Sequence, residues 1–152
     1  VDNFTDTWNQ MGVNFKFTDL LASFGLAQLL RVPGRLSHLQ SIYATYDSAI
    51  AELDDPLIKL IPVDVSAGEV PLYIEALCSE RDDLVGYLNS RGIQARPFPP
   101  SLHRSEYLEN EDNFPRSRVF AEQGVYLPCG PEQPIENVKQ VISELRLYSV
   151  SP

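Results

Sequence analysis

Near residues 54–56 the sequence changes its hydrophobic period, and that change limits the folds open to the chain. Upstream, Leu20, Leu21, Ala22, Phe24, Leu26, Ala27, Leu29 and Leu30 form one dense apolar stretch. Leu36, Leu39, Tyr43, Tyr46, Ile50 and Leu53 then recur three and four apart, the spacing of one helix face. Downstream, apolar runs are short and divided by Gly, Pro and polar turn residues, which is strand punctuation. A helical period cannot settle as a strand, so two helices precede a region of alternating strands and helices.

Helix start and stop chemistry supports this division. Thr18 and Asp19 supply N-cap chemistry for the first helix, and Pro33 and Gly34 are expected to terminate it. That helix is apolar on nearly every side, so it must be covered by its own protein or by a partner. Gly25 at its middle suggests close approach of another backbone. The second helix is expected from about Leu36 to Leu53, closed by Asp54, Asp55 and Pro56.

The remainder predicts strands over 58–65 and 71–77, the second with Leu72, Ile74 and Ala76 on one face, joined by a hairpin-length link at Ser66–Glu69. Ser79 and Asp82 have capping-box spacing before a helix over 80–91, which Gly92 ends. A third strand is expected over 93–98, where prolines open a long loop reaching Asn113. A short helix over 114–123 and a strand over 125–127 follow. The final helix has Pro134 at its first position and a stripe of Val138, Val141, Ile142 and Leu145. The expected fold class is α+β: a small mixed or antiparallel sheet with helices on one face, preceded by an arm and two helices. The expected divisions are an extended arm at 1–17, a helical connector at 18–55 that contacts a large domain or a partner, and a small α/β domain at 56–152.

Charge narrows the partners. The 152 residues carry 12 Lys plus Arg against 21 Asp plus Glu, a formal net charge of −9. An acidic field of that size opposes binding to phosphate backbones and anionic lipid, so neither nucleic acid nor a membrane surface is an expected partner. Cys78 and Cys129 stand far apart, and His38 and His103 form no zinc spacing with them, so no metal site is expected. Two thiols of this kind fit a reducing, cytoplasmic compartment. No Gly-x-Ser-x-Gly elbow occurs, and neither Cys has a His nearby in sequence. The chain begins at Val1 with a polar, aromatic arm, so it reads as a piece of something longer.

Two segments carry ligand-type chemistry. In the loop from Arg96 to Tyr107, prolines stiffen the backbone while Arg96, His103, Arg104 and Tyr107 offer donors to an anionic or hydroxyl-rich ligand. In the arm, Asn14 and Lys16 could bind a phosphate. The same residues also fit a hydrated Pro-rich surface loop and ordinary turn chemistry after Gly12.

Residues 12–30, GVNFKFTDLLASFGLAQLL, resemble the G-x-N-[FY]-[RK]-x-[TS]-D-x-x-A-A-x-G-L-x-Q-L motif of the DegT/DnrJ/StrS sugar aminotransferases, fold-type I enzymes that use pyridoxal phosphate. Later pieces match in order: Tyr46 and Ile50, the Pro71-Leu-Tyr strand, Arg91-Gly-Ile93, the loop from Ser101-Leu-His103 to Tyr107, Phe114-Pro115, and Leu127-Pro128. The resemblance spans nearly the whole chain from Trp8.

It implies the C-terminal part of a homodimeric enzyme: an arm, connecting helices and the small α/β domain, which complete a nucleotide-sugar pocket and the dimer interface. By the resemblance, Asn14 reaches the cofactor phosphate of the neighbouring subunit, and Lys16, His103, Arg104 and Tyr107 contact the substrate. Lys16 stands where the family usually has Arg, which removes a bidentate fork, and Ser101 replaces the usual Pro. The Schiff-base lysine is missing. Lys16, Lys59 and Lys139 are the chain's three lysines, and none lies in the family's S-x-x-K-x-x-x-x-G-E-G-G context. No catalytic residue is therefore expected here, nor covalent attachment of pyridoxal phosphate, nor activity of the chain alone. Two other readings fit the resemblance: a non-catalytic binding or dimerisation module derived from the family, and a sugar dehydratase of the family in which His replaces the lysine.

Overall fold

A computed structural model of the chain describes residues 16–53, 57–104 and 113–149. Two units divide between Val32 and Pro33. In the first, helix α1 (Asp19–Leu29) starts as its sequence dictates: the Thr18 hydroxyl accepts from the Leu21 N–H at 3.3 Å, and Asp19 lies in the positive first turn. No residue of α1 is buried, and Leu30 just beyond it is 86% exposed. Among the described residues, a Cβ at Gly25 would touch only the Phe17 ring, at an ordinary 3.6 Å, and no other backbone.

The second unit opens with helix α2 (Val32–Leu53). Pro33 and Gly34 do not form a break, as their sequence suggested, but sit in the first turn of α2. Proline is tolerated there because the first N–H groups of a helix have no intrahelical partner. Leu39, Ile42, Tyr43, Tyr46, Ala49 and Ile50 are buried, which adds Ile42 and Ala49 to the expected seam and leaves Leu36 and Leu53 at its margins. Residues 54–56 lie outside the described residues.

Four short strands form one sheet: β1 (Ile58–Leu60), β2 (Ile74–Cys78), β3 (Arg96–Pro97) and β4 (Gly124–Leu127), in the order β1-β2-β4-β3. Every pairing is antiparallel, so of the two sheet types expected the antiparallel one is realised. Helices α3 (Arg81–Ser90) and α5 (Ile135–Ser149) share one core with α2 and the sheet face that carries Ile58, Leu60, Ile74, Ala76, Cys78, Val125 and Leu127. Full burial of each aliphatic side chain contributes about 1.5–3 kcal/mol, so this three-helix, one-face core is the main stabiliser. The stripe Val138, Val141, Ile142 and Leu145 is buried as its spacing requires.

Several local expectations are corrected. The first strand stops at Leu60, and the link to β2 is no tight hairpin. It contains a 3-10 turn (Val65–Ala67), with Asp64 capping Ala67 N–H at 2.9 Å and Gly68 at φ 90° closing it. The Tyr43 hydroxyl accepts from Val63 N–H at 2.9 Å and pins this link to α2. Leu72 does not share the inward face of Ile74. Its N–H bonds the Val70 carbonyl at 2.9 Å, a tight bend that breaks the alternation and leaves Leu72 63% exposed.

Ser79 is no capping-box residue either, because its N–H bonds the Leu57 carbonyl at 3.1 Å and continues the sheet. Helix α3 begins behind Glu80, which makes no side-chain cap, and ends as expected before Gly92 at φ 75°. The third strand shrinks to Arg96–Pro97 at the sheet edge, where Pro97 needs no ladder donor. Pro134 precedes the first residue of α5 rather than occupying it, offering its carbonyl to Asn137 N–H at 3.1 Å.

The sheet's second face is aromatic. Phe98 stacks on Tyr126 with ring centroids 4.4 Å apart, Tyr73 lies 5.3 Å from Tyr126, and Phe120 of helix α4 (Pro115–Gln123) lies 6.4 Å from Phe98. Gly124 allows this packing, since a Cβ there would collide with the Phe120 carbonyl and the Phe98 ring.

Candidate functional site

Of the residues singled out by sequence, those described divide between the two units. Asn14 and Tyr107 lie outside the described residues. Lys16 is exposed in the first unit, just before α1. His103 and Arg104 share a 3-10 turn, Leu102–Arg104, in the second unit. The half-buried His103 ring lies 5.0 Å from Phe114, while Arg104 is exposed. Ser101, the departure from the family's Pro, anchors this turn: it is buried, and its hydroxyl donates to the Ser117 carbonyl of α4 at 2.9 Å. A buried hydroxyl needs such a partner, so the turn is held to α4 by a bond that proline could not make.

A cleft of about 640 Å³ opens at the end of the sheet, inside the ~300–1,000 Å³ range of small-molecule sites. Of the expected loop donors, His103 and Arg104 do not line it, whereas Arg96 does. Its walls come from Tyr73 before β2, Arg96 of β3, Tyr126 of β4, the turn at Cys129–Gln133, and Asn137 and Gln140 of α5. Arg96, read from sequence as a loop donor, is an edge-strand residue directly opposite Tyr126, which in turn pairs with Glu75.

Electrostatics keep Cys129 and Tyr126 of the cleft protonated at neutral pH. Burial pushes the Cys129 thiol up, the backbone near Ile74 opposes the shift and the Glu75 carboxylate adds to it, so the sulfur stays protonated at neutral pH. Burial likewise raises the Tyr126 phenol, with Glu75 and Tyr73 adding and Arg96 partly offsetting them. Among the described residues the lining holds no His, Lys, Asp or Glu. Among the described residues no cluster of His, Cys, Asp or Glu could hold a metal ion.

Sequence reasoning missed most of this cleft. Gln94, Gln133, Asn137 and Gln140 look like solvated positions, and only the fold gathers them. The available signals were the Pro-Cys-Gly-Pro turn and the period-2 placement of Tyr126 beside Gly124.

A Schiff-base lysine needs an enclosed, partly desolvated position. Lys16 and Lys59 are exposed, and Lys139 is an exposed residue paired to Glu136 at 2.8 Å, so none of the three is enclosed among the described residues.

A model of the DegT/DnrJ/EryC1/StrS aminotransferase family matches residues 1–146. The chain belongs to that family. GDP-perosamine synthase of Vibrio cholerae is 27% identical over 152 residues, covering 93% of this chain and 40% of that protein. The GDP-perosamine synthase of Caulobacter vibrioides is 28% identical over 148 residues, covering 89% and 38%. The solved structure of S. venezuelae DesV superposes with a TM-score of 0.80 at 24% identity, covering 95% of this chain and 40% of that one. The DegT/DnrJ/EryC1/StrS chain described here thus has the α+β fold of part of a fold-type I aminotransferase, and it spans about 40% of the length of the curated relatives it matches. No helix among its described residues is long and apolar enough to cross a membrane.

Proposed function

We propose that this chain is the C-terminal part of a pyridoxal-phosphate-dependent aminotransferase that acts on a nucleotide-linked keto-sugar in the cytoplasm. The family match over residues 1–146 carries the reading, and the GDP-perosamine synthases among its relatives favour a nucleotide-linked sugar. The lysine that forms the Schiff base and the carboxylate that pairs with the pyridine nitrogen then belong to the rest of the enzyme. This chain's part is to complete the substrate pocket and the homodimer interface. Asn14 donates its amide to the cofactor phosphate of the neighbouring subunit, which adds a hydrogen bond without adding charge. Lys16, His103, Arg104 and Tyr107 contact the nucleotide sugar, with Ser101 fixing the His103 turn from behind. The exposed apolar side chains of α1 support its burial against the large domain or a second subunit.

The test is amination by the whole protein, loaded with pyridoxal phosphate and given an amino-acid donor and GDP- or TDP-linked keto-sugars. An amino sugar detected by mass spectrometry is the expected result, with His103→Ala raising KM for the sugar. Loss of substrate without amine gain would indicate the dehydratase instead. The chain alone, mixed with one equivalent of pyridoxal phosphate and reduced with borohydride, should show no lysine-linked adduct. A specific adduct at any of its three lysines would contradict the assignment of the anchor to another part of the enzyme.

A further inference from the structure

The cleft between Tyr73, Arg96 and α5 has a lining unlike a surface groove. Gln94, Gln133, Asn137 and Gln140 place four carboxamides around it. A carboxamide both donates and accepts, so it is matched by a ligand whose groups also do both, which is the property of hydroxyls. Among the described residues Arg96 is the one charged group in the lining, and it makes no ion pair there. In a chain of net charge −9 a carboxylate-free cleft with one guanidinium is a local exception, suited to a ligand with one anionic group. Glu75, across Tyr126 from Arg96, faces the same side of the sheet without lining the cleft, and disfavours a second anionic group. Tyr73, 58% exposed, presents a ring face on which an apolar sugar face can lie.

The wall is also held in place before any ligand arrives. The Tyr46 hydroxyl donates to the Pro128 carbonyl at 2.9 Å, and Cys129 Sγ reaches the Leu72 carbonyl at 3.6 Å. Gln133 N–H bonds the Gly130 carbonyl at 3.1 Å, while the Gln133 carbonyl bonds His38 Nε2 at 2.7 Å. Arg35 pairs with Glu132 at 3.1 Å. A turn fixed at this many points loses little entropy on binding.

We propose that this cleft binds a monosaccharide bearing one anionic group. The carboxamides take the hydroxyls, Arg96 takes the phosphate or carboxylate, and Tyr73 lies against the ring. The proposal does not depend on the aminotransferase reading, because it is argued from the cleft's own lining, which includes neither His103 nor Arg104.

Calorimetric titration of the chain with glucose 1-phosphate, glucuronate, glucose and inorganic phosphate tests it. Both anionic sugars should bind about tenfold or more tightly than glucose, the worth of one charge-assisted contact, and more tightly than inorganic phosphate, which lacks the ring hydroxyls that the carboxamides take. Amide shifts should fall on Tyr73, Tyr126, Gln133 and Asn137. R96Q should bring the anionic sugars down to the level of glucose. Y73A, at an exposed position, gives a second reading if R96Q fails to fold, and should weaken all three sugars but not inorganic phosphate. Equal binding of glucose 1-phosphate and inorganic phosphate would reduce the cleft to an anion site and overturn the proposal. So would equal binding of glucose, or no binding at millimolar concentration. Preference for one anionic sugar over the other tells whether phosphate or carboxylate is the natural group.

Discussion

The phenol of Tyr46, fully buried in α2, donates a hydrogen bond to the carbonyl of Pro128, which lies 82 residues away in sequence, at 2.9 Å. This single bond joins the helical part of the second unit to the turn that walls the cleft. Tyr46→Phe keeps the ring and strands a carbonyl, so it should destabilise the chain by about 1–2 kcal/mol in denaturant titration. Amide exchange at Cys129–Gln133 should accelerate in the same variant.

The same phenol makes stability fall at alkaline pH. Burial raises its pKa well above the ordinary value of 10.0, with Cys129 adding to the shift. The folded state therefore keeps a proton that the unfolded chain loses. Stability from this group is fully present below about pH 10 and declines as pH rises toward the folded pKa, by up to ~1.4 kcal/mol per pH unit. Thermal melts from pH 8 to 11 should show this decline, and Tyr46→Phe should flatten it.

Gly124→Ala tests the aromatic face. The added methyl meets the Phe120 carbonyl and the Phe98 ring, neither of which can move without shifting β3 or α4. A loss of about 1–3 kcal/mol is expected from such overpacking. Tyr126 fluorescence should change with it, because Phe98 stacks on that ring.

Asp64 reports on the link between β1 and β2. Its carboxylate accepts from the Ser66 hydroxyl and from Ala67 N–H, which hold its pKa below the ordinary 3.8. Its contribution is present above that value and disappears as pH falls through the lowered one. NMR titration should find Asp64 below the ordinary 3.8, and Ser66→Ala should move it back toward that value.

The exposed side chains of α1 give a fifth expectation. Leu20, Phe24, Leu26 and Leu29 stand more than half exposed on a helix with no buried residue. The isolated chain should self-associate with rising concentration in sedimentation, and Phe24→Gln with Leu29→Gln should suppress this. A monodisperse monomer at all concentrations would count against α1 as a self-association surface.

What the amino-acid order determined alone was local. Thr18 caps a helix because its hydroxyl reaches a donor three residues on, Gly92 ends one because it accepts a positive φ, and the α5 stripe follows from 3.6 residues per turn. The change of period near residue 55 likewise announced helices before sheet, and the ordered motif residues announced the family. Tertiary structure decided what depends on partners distant in the chain. Ser79 joined a ladder with Leu57 instead of capping a helix, and Leu72 turned outward because its N–H was taken by Val70. Arg96 became an edge-strand cation opposite Tyr126. The cleft is the clearest case: its carboxamides come from three segments, each reading as plain solvated surface. Only closure of the sheet against α5, with Tyr46 and His38 holding the intervening turn, makes those segments face one another.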